Sequence, residues 1–159
     1  MQGDPDVLKL LNEQLTSELT AINQYFLHSK MQDNWGFTEL AEHTRAESFE
    51  EMRHAESITD RILLLDGLPN YQRLFSLRVG QTLREQFEAD LAIEYEVVAR
   101  LKPGIIMCRE KQDAVSANLL EGILGDEEGH IDYLETQLEL MDKLGDALYA
   151  AQCVARPPK

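Results

Sequence analysis

The sequence predicts an all-α protein: a four-helix bundle with a long crossover between its second and third helices and a short fifth helix at the C-terminal end. Three observations predict it. Apolar residues recur at alternating steps of three and four in four separate stretches, which is the helical period. The 159 residues include only 5 Pro and 9 Gly, while strong helix formers abound. Residues 66–82, "DGLPNYQRLFSLRVGQT", lack that period, yet they are long enough to run the length of a bundle.

The elements follow in order. Asp4-Pro5 reads as a helix start, an N-cap acceptor with Pro at the first helical position. Leu8, Leu11, Leu15, Glu18, Ile22, Tyr25 and Ser29 form one seam, ending near "DNWG". The second helix is expected from about Thr38 to Leu65, with Glu47, Glu51, His54, Ile58 and Ile62 in its seam. "TLRE" at 82–85 is a capping box that opens the third helix, whose seam is Phe87, Leu91, Glu94, Val98, Leu101, Ile105 and Cys108. Pro103 removes the bond to the Ala99 carbonyl and predicts a kink there. The fourth helix starts near Asp113 and carries Leu120, Ile123, Glu127, His130, Leu134, Leu138 and Met141. Beyond Gly145, "DALYAAQCVA" predicts the short fifth helix. Seventeen extended residues reach at most roughly 56 Å, and a helix of 25–30 residues is about 37–45 Å long. Residues 66–82 can therefore cross the bundle and make the second and third helices parallel. The chain is expected to form one domain over 1–159, with the bundle at about 4–144 and a short helix and tail over 145–159.

The formal charge of −14 argues against nucleic-acid binding, which needs a basic footprint. It suits cations, although a solvated acidic surface explains it as well. No apolar run approaches the roughly 18 residues of a membrane span, so no membrane partner is expected. The first ten residues show no basic or apolar leader pattern, and Cys108 and Cys153 are isolated. A cytoplasmic protein without a disulfide framework is the expectation.

Two Glu-x-x-His steps carry the chemistry: Glu51 with His54 and Glu127 with His130. Glu127 follows Glu51 by the same interval at which the lone seam glutamate Glu94 follows Glu18. That one offset also relates Leu15 to Leu91, Ile58 to Leu134, Ile62 to Leu138 and Leu65 to Met141. Two related helix pairs would pack about a pseudo-twofold axis and bring the six polar residues together. Residues three apart on a helix share a face, so each Glu and His of a step points the same way. Glutamate is almost never fully buried unpaired, and no Lys or Arg lies in the seams. Two divalent cations neutralise four carboxylates without remainder, with both imidazoles neutral. The alternative is a pair of Glu–His hydrogen bonds with shared protons. An oxygen-rich set of four carboxylates and two imidazoles suits iron or manganese. Six residues over two ions leave open positions where dioxygen or peroxide can bind.

With "LNEQLTSELTAINQYFLH", "EEMRHAE", "LDGLPN", "DLAIEYE" and "DEEGHIDYLETQLELM", the chain resembles the bacterioferritins over essentially its whole length. The ligand reading matches the known pattern of ferritin-like di-iron carboxylate bundles and is not independent of it. The resemblance implies a ferritin-like bundle that acts as a ferroxidase, with Glu18 and Glu94 as terminal iron ligands. Glu51 and Glu127 would bridge, and His54 and His130 would bind one iron each. It also implies iron storage and detoxification. Fe(II) would be oxidised by O2 or H2O2 and kept as ferric mineral in a hollow homo-oligomer of 24 subunits built from twofold dimers. A ferredoxin is the implied electron donor for iron release. Met52 is the implied axial ligand of haem b, one per two subunits, at a twofold interface; spacing alone would make it ordinary interface packing. Leu19, Ile22, Asn23 and Phe26 would line that pocket, or form an interface stripe.

Tyr25, two turns after Glu18, could hydrogen-bond a ligand carboxylate or supply an electron. Glu47 and Glu50 could pass iron along, but Ala46 stands where family members often have histidine. His28 and His43 are expected in surface or interface roles. Gly122, Gly125 and Gly129 each cost roughly 1 kcal/mol against Ala in a helix, a broken rule of the kind found near functional sites. The alternatives are a haem-free ferritin, a non-storing di-iron peroxidase resembling rubrerythrin, and a helical scaffold whose acidic seam is structural.

Overall fold

The structure, a computed structural model, describes residues 1–154. It contains α1 (Pro5–Asn34), α2 (Thr38–Leu64), α3 (Leu83–Glu110), α4 (Ala114–Leu144) and α5 (Asp146–Ala151). The last residue of "DALYAAQCVA", Ala155, and the rest of the expected tail lie outside the described residues. The sequence predicts the caps of α1 and α3, and Asp113 caps α4 in addition. Asp4 accepts from Asp6 N at 2.8 Å, Thr82 from Glu85 N at 3.2 Å and Asp113 from Ser116 N at 3.0 Å. Among the described residues no helix is long and apolar enough to cross a membrane.

Contacts fix the directions. Along α1 and α3, Gln24 meets Asp90 and Gln32 meets Gln86, so these helices run antiparallel. Along α2 and α4, His54 meets Asp126 and Arg61 meets Asp113, again antiparallel. Since α1 and α2 form a hairpin, α2 and α3 are parallel, as the crossover requires. Helix α3 continues through Pro103 without interruption. Its neighbour Gly104 permits a close approach, because a Cβ there would sit 2.8 Å from Leu10 Cδ1 of α1.

Two apolar clusters hold the bundle. The larger includes Leu11, Leu15, Ile58, Ile62, Leu101 and Leu120, all fully buried. Burying each such side chain is worth about 1.5–3 kcal/mol. The smaller joins Leu40, Phe87, Leu134 and Met141 to Tyr149 and Cys153 of the C-terminal segment. That segment also completes α2. Phe37 offers no side-chain cap, and the free N–H groups of Glu39 and Leu40 donate to the Cys153 carbonyl at 3.1 and 3.4 Å. An uncapped helix start needs such a partner.

The crossover is held along α1 by a polar ladder. Asn12 Oδ1 accepts from Asn70 N at 2.9 Å, Thr20 Oγ1 from Phe75 N at 2.9 Å and Gln24 Oε1 from Arg78 N at 2.8 Å. His28 Nε2 accepts from Gly80 N at 3.0 Å, while its Nδ1 lies 2.9 Å from Asp90 Oδ1. A surface role for His28 is thus corrected: its ring is fully buried, and it binds the irregular crossover segment, whose backbone would otherwise lack partners. His43 does stay at the surface. The three glycines of α4 face open space, and no close approach within the chain requires them.

Candidate metal centre

On the four long helices the six predicted ligand residues fall between the segments that build the two apolar clusters. The helical period that buries Leu15, Ile58, Val97 and Ile123 also carries Glu18, His54, Glu94 and Glu127 inward. Two groups form. Donor atoms of Glu18, Glu51, His54 and Glu127 lie within 4.8 Å of one another, and so do those of Glu51, Glu94, Glu127 and His130. Glu51 and Glu127 belong to both groups. The pairing crosses between helices: His54 Nδ1 is 3.1 Å from Glu127 Oε1, and His130 Nδ1 is 3.1 Å from Glu51 Oε1.

All four glutamates are at most 1% exposed. Ten buried side-chain N or O atoms among the described residues lack a hydrogen bond, and seven belong to these six residues: Glu18 Oε2, Glu51 Oε1, His54 Nδ1, Glu94 Oε2, both oxygens of Glu127 and His130 Nδ1. Buried polar atoms are nearly always paired, so seven unpaired lone pairs converging on one spot fit a cation there. Their protonation shows the same strain. Burial, then the charges of Glu18 and Glu127, raise the Glu51 carboxyl well above its ordinary range; burial and Glu127 do the same to Glu94. Burial opposes charging of the imidazoles, yet the surrounding carboxylates raise both His54 and His130. Burial would raise Glu127 as well, but the closeness of Glu94, His130 and His54 outweighs it and lowers that carboxyl. Where no cation is bound, the raised groups favour keeping their protons.

A surrounding set of residues orients the six. Gln14 Nε2 donates to Glu18 Oε1 at 2.9 Å, and the Tyr25 hydroxyl donates to Glu94 Oε1. His54 Nε2 bonds Asp126 Oδ2 at 2.8 Å, and His130 Nε2 bonds Glu50 Oε2 at 3.1 Å. Each imidazole therefore turns Nδ1 inward, the arrangement that fixes a metal-binding tautomer. Sequence reasoning missed Gln14 and Asp126. The signal for Asp126 was present, because Glu50 and Asp126 obey the same offset as the ligands, one step before Glu51 and Glu127. A cavity of about 20 Å³, room for a water molecule, is lined by Tyr25, His43, Glu47, Asp90 and His130 among others.

Met52 lies off this site on a half-exposed apolar face, 48% exposed, with Phe26 and Phe49 similarly open. The Arg45 guanidinium sits over both phenyl rings, 5.9 and 5.3 Å from their centroids. Beside them, Ile22 is partly buried, Leu19 is buried and Asn23 bonds the Leu19 carbonyl at 2.7 Å.

The sequence profile of the ferritin-like domain matches residues 8–144. The chain is 86% identical to the bacterioferritin of Mycolicibacterium paratuberculosis over 99% of each chain. A solved mycobacterial bacterioferritin is 92% identical, with a TM-score of 0.98 over 100% of this chain and 99% of that one. The bacterioferritin of Rhodobacter capsulatus is 45% identical, with a TM-score of 0.97 over 100% of this chain and 99% of that one. That structure is described as having a metal-free dinuclear site and haem iron in a crystallographic special position.

Proposed function

The chain belongs to the bacterioferritins, within the ferritin-like domain family, and from that premise we propose that it stores iron by oxidising Fe(II) at the six-residue centre. The observation that carries this is the set of seven unpaired buried donor atoms between the helices. In this reading Glu18 with His54 holds one Fe(II), Glu94 with His130 holds the other, and Glu51 and Glu127 serve both. Paired Fe(II), once bound, supplies electrons to dioxygen or peroxide. The chain's own residues prepare for that. Asp126 and Glu50 hold the imidazoles with Nδ1 inward, and Gln14 and Tyr25 aim one oxygen of each terminal glutamate. Arriving cations displace the protons on His54, His130, Glu51 and Glu94, and the exclusion of water strengthens each carboxylate contact.

The half-exposed face around Met52 fits haem b shared by two subunits. A thioether is a suitable axial ligand for haem iron, and Phe26 and Phe49 give apolar walls that a second copy would cover. The oxidised iron is kept as mineral inside a homo-oligomeric shell, which we take to be 24 subunits built from such dimers. The setting is cytoplasmic, a ferredoxin supplies electrons for iron release, and residues 1–159 act as one domain.

Two measurements test this. Anaerobic Fe(II) mixed with oxygen should be oxidised rapidly by the native protein and only at background rate by Glu51→Ala, with helicity retained. A native rate equal to the mutant rate would reject the ferroxidase reading, and a load of only two irons per subunit would reject storage. Reduced and oxidised visible spectra should show haem approaching one per two subunits, lost in Met52→Leu.

A further inference from the structure

The shared offset between the two helix pairs makes the two cation positions look equivalent, but their surroundings are not. Terminal glutamates are matched, since Gln14 donates to Glu18 and Tyr25 donates to Glu94. Outer imidazole nitrogens are matched too, by Asp126 for His54 and Glu50 for His130. Glu47 has no such counterpart. It places Oε2 2.5 Å from His130 Nε2, nearer than the Glu50 oxygen at 3.1 Å, and so adds a second negative charge behind that ring. Its other oxygen, Oε1, is held by His43 Nε2 at 3.1 Å. The positions that correspond to Glu47 and His43 in the second helix pair are Ile123, buried in the apolar core, and Leu119, partly buried against it. The differences continue into solvent contact: the water-sized cavity reaches His130 and Glu47 but neither His54 nor Glu18. Asp126 is half-exposed and screened by water, whereas the Glu47 side chain is only 18% exposed.

A carboxylate behind a ligating imidazole makes it a better donor, and losing such a partner typically weakens metal binding 10–100-fold. We infer that the position between Glu94 and His130 binds a divalent cation about 10–100-fold more tightly than the position between Glu18 and His54, and that Glu47, held by His43, is the positioning residue responsible. Loading is therefore ordered, with the His130 side filled first. This rests on the di-iron reading of the same centre.

Anaerobic Co²⁺ titration of the metal-free protein, followed by ligand-field absorption and calorimetry, tests it without turnover. His54→Leu and His130→Leu each leave one half intact. The His54→Leu protein should bind one Co²⁺ about 10–100-fold more tightly than the His130→Leu protein. Adding Glu47→Gln should erase that advantage in the first background and change nothing in the second. Equal loss in both backgrounds would mean that Glu47 merely supports the fold, and equal affinities of the two single variants would also overturn the inference. Should either histidine variant fail to fold, native protein and Glu47→Gln decide instead: two resolved steps must draw together in the variant, at two Co²⁺ per subunit in each. Native protein that binds no Co²⁺ overturns the di-iron reading itself, and the inference with it. Two ions bound with no effect of Glu47→Gln overturns the inference alone.

Discussion

Two buried polar regions lie side by side in this bundle, and they are built on opposite principles. In the ladder along α1, His28 takes Gly80 N on one nitrogen and Asp90 on the other, while Gln24 bonds both Asp90 and Arg78 N. In the candidate metal centre, Glu51, Glu94, Glu127 and both histidines face one another with atoms left unpaired. Burial is equally deep in both. What separates a structural network from a functional one is satisfaction: the first has its partners within the chain, and the second waits for a partner from outside.

The largest test breaks the ladder. His28→Leu should leave the Asp90 carboxyl buried beside Gln24 alone and free Gly80 N, costing about 2–5 kcal/mol for the two buried groups left without a partner. Urea titration measures it, and a loss under about 1 kcal/mol would contradict the ladder's role. The same change at the centre should act in the other direction. Glu51→Gln supplies outright the neutral group that burial beside Glu18 and Glu127 otherwise obtains only by holding a proton. It should stabilise the metal-free protein at neutral pH by about 1–3 kcal/mol while abolishing the stabilisation that bound cations confer. A Glu51→Gln protein that melts lower than native without metal would show that the centre is as self-sufficient as the ladder.

The subtler test is pH. His54 and His130 are raised above their ordinary 6.5, and Glu51 and Glu94 above 4.5. A raised imidazole stabilises fully below 6.5 and loses that contribution as pH climbs through its folded value. The protonated glutamates have the same sign, fully stabilising below 4.5. Metal-free protein should therefore melt progressively lower from pH 6.5 to 8.5, by up to about 1.4 kcal/mol per pH unit for each extra proton held. Cations displace those protons, so the gap between loaded and metal-free melting temperatures should widen over the same range. Parallel pH profiles for both forms would mean that the cations bind elsewhere.

The clustering of the six residues was legible in the sequence because they and the core residues obey the same helical period. Glu18, Glu51, His54, Glu94, Glu127 and His130 stand in apolar seams where nothing nearby in sequence explains them. The ladder was harder. Thr20, Gln24 and His28 do recur every four residues, which signals a polar stripe, but their partners at 75, 78 and 80 lie in a segment without any period. The cap of α2 by the Cys153 carbonyl left no sequence signal at all, since any residue offers a carbonyl.

By itself the sequence determined the four long helices, the parallel return across the bundle and the six inward-facing residues, because helical period and capping are local properties written in neighbouring side chains. Tertiary structure decided which carboxylate stands behind which imidazole, that His28 is buried, and that Glu47 makes two related positions unequal. Those contacts join residues far apart in the chain, and only the packing of one helix pair on the other brings them within hydrogen-bond reach.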